Sequence, residues 1–130
     1  MKFTYLFYLC FFLFSCGSSP KQSPTPTEDD KVVIKNDELE YEVIIIEPGF
    51  NSWLVTQPPQ NFYTQTALEI KNRRWVSEWN RRVLQPYNFN PNLYEMQINY
   101  DASIDYGMEV NYLLFQYFTY FQQKYRQDLY

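Results

Sequence analysis

Asp101-Ala102-Ser103-Ile104-Asp105 spaces its oxygen atoms like positions 1, 3 and 5 of a calcium-binding loop. Such a loop also needs glycine at position 6 and glutamate at position 12. Here those positions hold Tyr106 and Tyr112, and glycine arrives one place late at Gly107. Turn and cap chemistry explain the same letters, with Asp101 closing a turn on its own backbone and Asp105 capping a helix. Glu95, Asp101 and Asp105 also offer the carboxyl pair of a glycosidase, which must sit about 5–9.5 Å apart beside a sugar. Trp53, Trp75 and Trp79 are the aromatic platforms for such a sugar. Trp75 and Trp79 fall on the apolar stripe of a helix, however, where core packing is the default.

The remaining chemistry is narrow. The chain has no histidine, and neither a phosphate-cradling GxxxxGK[ST] nor a GxGxxG occurs. Its two cysteines are Cys10 and Cys16. Cys10 lies inside an apolar run, Phe3 to Phe14, that follows Met1-Lys2 as the h-region of a secretory signal follows its charged start. The run is shorter than the about 20 residues a membrane-spanning helix needs. Leu13-Phe14-Ser15-Cys16 resembles the bacterial lipobox, where signal peptidase II cuts before the cysteine. The resemblance implies that Cys16 becomes the lipidated N-terminus and that the mature chain has no free thiol or disulfide. Ser-His-Asp and Cys-His nucleophiles and His/Cys zinc sites are then out of reach, and no cofactor is expected.

These readings divide the chain into a signal peptide (1–15), a lipidated cysteine with a tether (16–39) and one small domain (40–130). The tether is read from the Ser/Thr/Pro-rich stretch Gly17 to Asp30, which has too little apolar surface to fold. The domain is read from the aromatic residues, 21% of the chain, which are dense from Tyr41 to Tyr130 and suit a core built without disulfides. The net charge of −4 gives no general footprint for nucleic acid.

Within the domain, Tyr41 to Glu47 (YEVIIIE) reads as a buried strand stopped by Pro48-Gly49. A continuous apolar strand wants neighbours on both sides, and Val32 to Ile34 is a candidate for one. Asn51 to Gln57 has room for one or two helical turns before Pro58-Pro59. A long helix follows, capped by Thr64 or Thr66, the latter at capping-box spacing from Glu69. Its stripe is Leu68, Trp75, Val76, Trp79 and Val83, and it stops before Pro86. Tyr94, Met96, Ile98 and Tyr100 alternate with polar residues as in a half-buried strand. Asp105 caps a last helix whose stripe is Val110, Leu113, Leu114, Tyr117, Phe118, Phe121 and Tyr125. The expected fold is a small α+β (α/β) layer in the order strand, helix, strand, helix. Two helices cover a two- or three-stranded sheet, and parallel main strands would need a right-handed crossover.

Two surfaces stand out. Lys71, Arg73, Arg74, Arg81 and Arg82 make the first long helix basic, which would suit anionic lipid or lipopolysaccharide phosphates. Glu78, four residues from both Arg74 and Arg82, favours a solvated charged face instead. If Tyr94, Met96 and Ile98 face inward, Glu95, Gln97 and Asn99 face outward together with Asp101. That ribbon is the candidate partner surface.

The blocks YEVIIIEPGFNSWL, RRWVSEWN and NPNLYEMQINYDASIDYGMEVNYLLFQYF resemble an uncharacterised family of Gram-negative bacterial lipoproteins, a domain of unknown function. The resemblance spans roughly residues 40 to 128 and implies no activity or site residue. The functional expectation is a non-catalytic lipoprotein module of the cell envelope. It is anchored to the membrane through lipid on Cys16, at the outer membrane facing the periplasm, because Gly17 is not the aspartate of inner-membrane retention. It binds an envelope protein or glycan and no nucleic acid. The alternative is a small carbohydrate-binding or hydrolytic lipoprotein.

Overall fold

The computed structural model describes residues 25–130. Cys16, the signal segment and the first part of the tether lie outside the described residues. The chain begins with a hairpin. Strand β1 (Lys31–Asn36) pairs antiparallel with β2 (Tyr41–Ile46), in a register that sets Val32 opposite Ile45 and Ile34 opposite Val43. Asp37–Leu39 form a 3₁₀ turn between them, and Glu40 closes it in the left-handed region at φ 51°. The Asn36 side chain accepts from the N–H groups of Glu38 and Leu39 and fixes the turn.

The hairpin corrects two expectations. Composition put residues up to 39 in the tether, yet Val32 and Ile34 are buried in the core. A three-residue apolar run among Lys, Asp and Asn is diluted in any composition window, but its alternate members face inward and its partner strand supplies the hydrogen bonds. The second main strand expected, Tyr94–Tyr100, does not join the sheet, which among the described residues is β1 and β2 alone and antiparallel, so the crossover that parallel main strands would need does not arise.

Three helices follow: α1 (Phe50–Leu54), α2 (Gln65–Val83) and α3 (Gly107–Tyr125). Thr64 caps α2, its hydroxyl accepting from the Ala67 N–H at 3.3 Å. The buried face of α2 carries Leu68, Trp75, Val76 and Trp79, and that of α3 carries Val110, Leu114, Tyr117, Phe118 and Phe121. The helices interlock through rings, with Trp75 stacked on Phe115 at 5.4 Å and Trp79 edge-on to Phe121 at 4.8 Å. One polar pair is buried between them. Asn72 donates to the Asn111 side chain at 3.1 Å and to its carbonyl at 2.9 Å, fixing the helix register. No helix among the described residues is long and apolar enough to cross a membrane.

The expected strand Tyr94–Tyr100 does not form. The segment is irregular and joins no ladder among the described residues. Tyr94 and Ile98 are buried, but Met96 between them is 61% exposed. Side chains of α2 take the place of a neighbouring strand. The Asn80 amide donates to the Ile98 carbonyl and accepts from its N–H, both at 2.8 Å, and the Trp79 indole donates to the Met96 carbonyl at 2.9 Å. Period-two alternation does not distinguish a laddered strand from an extended segment pinned in this way.

Candidate functional site

A groove of about 340 Å³ opens between β2 and Asn92–Ile98. Trp79 of α2 and Tyr117, Phe121 and Tyr125 of α3 form its floor. One wall is five consecutive residues, Val43 to Glu47. A cavity beneath a sheet face meets every second residue, so five in a row mean that the groove runs along the strand's edge. The other wall includes Leu93, Glu95, Met96 and Ile98, held from behind by Trp79 and Asn80.

Two carboxylates line the groove. Glu47 is 4% exposed and accepts from Lys124 Nζ at 2.5 Å and from Tyr125 Oη at 3.1 Å. Lys124 also donates to the Pro48 carbonyl at 2.9 Å, and Tyr120 donates to the same oxygen. Although burial opposes charge on Lys124, its bond to Glu47 raises the ammonium above the usual lysine range. Burial, then the Glu47 charge, likewise raises the Tyr125 phenol. Glu95 is exposed at the opposite lip. Between them lies Tyr117, 3% exposed, whose hydroxyl has no hydrogen-bond partner among the described residues. Burial first, and then the charges of Glu47 and Glu95, push its phenol up. It stays protonated at any physiological pH.

The expected partner surface is divided. Glu95, Gln97, Asn99 and Asp101 are all exposed, but only Glu95 lies in the groove. Gln97 and Asn99 border a separate depression beside Asn80 and Tyr100. Asp101 is folded into its own turn and accepts from the Ser103 N–H at 2.8 Å and hydroxyl at 2.7 Å, which lower its carboxyl below the usual range. Asp105 accepts from the Gly107 N–H at the entry to α3 and from Gln65, so it links that entry to α2, while the N-cap position itself is Tyr106 and has no side-chain cap bond, contrary to the expectation that Asp105 caps the helix. The DASID stretch is thus wired as a turn at Asp101 and a link from α2 to the start of α3 at Asp105. Trp75 is buried away from the groove, Trp79 meets it only as a floor residue that is 4% exposed, and Trp53 packs half-buried on Tyr120 outside the groove lining.

The basic face of α2 also divides. Arg82 is buried and donates to Glu78 at 2.6 Å, to Tyr94 Oη at 2.7 Å and to the Asp128 carbonyl. Arg81 makes a two-pronged pair with the same Glu78. Lys71 and Arg74 lie over the Tyr130 ring. Glu78 therefore pairs with Arg81 and Arg82 rather than with Arg74, and Arg82 ties α2 to the C-terminal tail.

Sequence reasoning missed Glu47, Tyr117 and Tyr125 as a group. Glu47 closes an apolar run, and its partners arrive 77 and 78 residues later. No local pattern joins them. Asn72 and Asn111 were detectable in principle, as amides placed on the apolar stripes of two helices.

Residues 25–130 form a small α+β domain, a two-stranded hairpin packed on two long helices that run in the same direction, as their contacts 72–111, 75–115 and 79–121 show, with a groove along the edge of β2. The chain belongs to a family described as a "Family of unknown function (DUF6146)", which matches residues 4–130. Neither a curated protein nor a solved structure matches it.

Proposed function

We propose that this chain is a lipid-anchored, non-catalytic module of the cell envelope that binds a protein partner in the β2 groove. Cys16 carries the anchor at the outer membrane, and the Ser/Thr/Pro-rich tether holds the domain off the bilayer on its periplasmic side. The groove carries the reading. It is concave, has an aromatic floor and a few convergent polar groups, and is of a size that ligand sites reach. Its carboxylates Glu47 and Glu95 line opposite walls, and Glu47 is already engaged by Lys124 and Tyr125. The carbohydrate-binding alternative draws less support, because of its three tryptophans only Trp79 reaches the groove, and that ring is 4% exposed.

The test is made in intact cells. A photo-crosslinking phenylalanine derivative at position 96, where Met96 lines the groove and is 61% exposed, should give a discrete adduct, and the same group at exposed Asn61 should not. Cys16→Ser should release the protein from the membrane fraction and end labelling by a palmitate analogue. Equal adducts from both positions, or none, would refute the groove as the binding site. Membrane retention of the Cys16→Ser variant through a high-salt wash would refute the anchor.

A further inference from the structure

Backbone bookkeeping in the hairpin shows what the groove lacks. The Glu47 N–H donates to the Asp30 carbonyl, so residues 30 and 47 form a hydrogen-bonded pair. Antiparallel ladders alternate bonded and non-bonded pairs. In this register 32/45 and 34/43 are therefore bonded, while 31/46, 33/44 and 35/42 are not. The N–H and C=O groups of Glu42, Ile44 and Ile46 point away from β1. The other edge supports this alternation, since the Lys31 carbonyl points outward and is taken by the Asn51 side chain at 3.2 Å.

The two edges are treated differently. Asn51 reaches over from α1 to cover part of the β1 edge, bonding the Asp29 carbonyl as well. Among the described residues, nothing bonds the outward backbone of Glu42, Ile44 and Ile46. From Val43 to Ile46 that edge carries no charge, proline or bulge; its one charged strand residue, Glu42, lies at the far end, and Pro48 comes only after the strand. Ile44 and Ile46 are 49% and 46% exposed. The run VIII has the composition of a strand flanked on both sides, and the chain supplies β1 alone.

We propose that the groove takes an extended peptide segment of a partner protein, which adds to the outer edge of β2 as a third strand. This rests on the reading of the groove as a docking site and names the mode and chemistry of the occupant. Backbone bonds to Ile44 and Ile46 supply affinity, as in other strand-addition sites, and side-chain pockets supply selection. Inward residues of the segment lie over Trp79 and Phe121 and must be apolar, except at one position. There the groove offers the exposed Glu95 carboxylate and the unpartnered Tyr117 hydroxyl, with no cation among its lining residues. A lysine or arginine at that position donates to both. The occupant is an alternating apolar strand with one inward basic residue.

The experiment uses the full chain in lipid nanodiscs and a seven-residue probe that alternates valine and threonine around a central lysine. In the free protein, amide exchange at Glu42, Ile44 and Ile46 should be fast and at Val43 and Ile45 slow. The probe should protect Ile44 and Ile46. Methylating the probe's edge-facing backbone nitrogens should weaken binding about ten-fold or more, since the paired carbonyls lose their donors. A central glutamate should weaken it similarly, and Glu95→Lys should reverse the lysine-over-glutamate preference. Glu95 is exposed, so that variant leaves the fold intact.

Binding indifferent to N-methylation, or no protection at Ile44 and Ile46, overturns strand addition. Slow exchange of these amides in the free protein, together with dimer mass, would make a second copy the occupant and overturn it equally. If the position-96 crosslink in cells persists while the probe fails, the docking reading stands and the strand mode falls. Loss of both removes both.

Discussion

Replacing Glu47 with glutamine tests how the groove's inner wall is held. The Glu47 side chain is 5% exposed, and its carboxylate accepts a charged bond from Lys124 at 2.5 Å and a phenolic bond from Tyr125 at 3.1 Å. Glutamine keeps the shape and one acceptor oxygen but loses the charge. Hydrogen bonds to charged groups contribute about 1.5–3 kcal/mol and neutral ones about 0.5–1.5, so the exchange should cost about 1–2 kcal/mol. Lys124 is one-third exposed and turns to water, which keeps the cost below the about 3–5 kcal/mol of stranding a fully buried charge. For a domain of this size each kcal/mol lowers Tm by about 4–8 °C, so the melt should fall by about 5–15 °C.

The pH profile separates this from a packing defect. Lys124 and Tyr125 both titrate higher in the folded chain than unfolded. Their stabilisation is therefore complete below about pH 10, the unfolded values, and is lost as pH rises beyond them. The gap between the parent chain and Glu47→Gln should stay constant from pH 6 to 9 and narrow only in strong alkali. Urea unfolding across that range measures it. A gap under about 0.5 kcal/mol, or one that does not narrow in alkali, would refute the reasoning.

Two further perturbations follow from the same geometry. Gly49 sits at φ +86°, and a Cβ there would meet Tyr120 Oη at 2.8 Å; Gly49→Ala should therefore cost about 1–3 kcal/mol by urea unfolding, and an unchanged midpoint would contradict the strained turn. Hydrogen bonds from Arg81, and then from Arg82, hold the Glu78 carboxyl down to about 2. Its stabilisation is present above about pH 4.5 and disappears as pH falls through 2. Allowing for solvent screening, Glu78→Gln should cost about 1–2 kcal/mol at pH 7 and nothing near pH 1.5, and a pH-independent difference would exclude the pair.

The helices were legible because their signals are local and redundant. Thr64 caps α2, Pro86 follows its end, and aromatic residues at helical spacing mark the buried face of α3. The run YEVIIIE was legible as a strand, and Val32–Ile34 as its neighbour, though not their antiparallel sense. Tyr94–Tyr100 misled because its alternation is genuine for Tyr94 and Ile98 and fails at Met96, where the constraint comes from Asn80 and Trp79 across the fold. Four outward residues were identified, and they are exposed. Only Glu95 meets the groove, because Asn80 pins Ile98 from the other side, which puts Gln97 and Asn99 on the depression beside Asn80, and Asp101 folds into its own turn. The groove's inner polar group depends on contacts across more than 70 residues, which no window of sequence contains.

The walls of the groove are built independently, and this bears on how it would take an occupant. The floor is rigid, since the Asn72–Asn111 pair and the stacked rings fix α2 against α3. β2 is tied to that floor through β1, whose Val32 and Ile34 are in the core, and through Glu47 on Lys124 and Tyr125. The opposite wall is tied through Asn80 and Trp79. Among the described residues no hydrogen bond joins β2 to Asn92–Ile98. The backbone groups on the free edge are thus already aligned by the ladder, so a segment that pairs with them orders itself more than the protein. Preorganisation of this kind lowers the entropic cost of association without adding a contact. A strand seated there would also bridge the two walls for the first time. Binding should therefore slow amide exchange at Ile98 as well as at Ile44, and a segment that merely lay on the outer face of the hairpin, over Val33 and Ile44, would leave Ile98 unchanged.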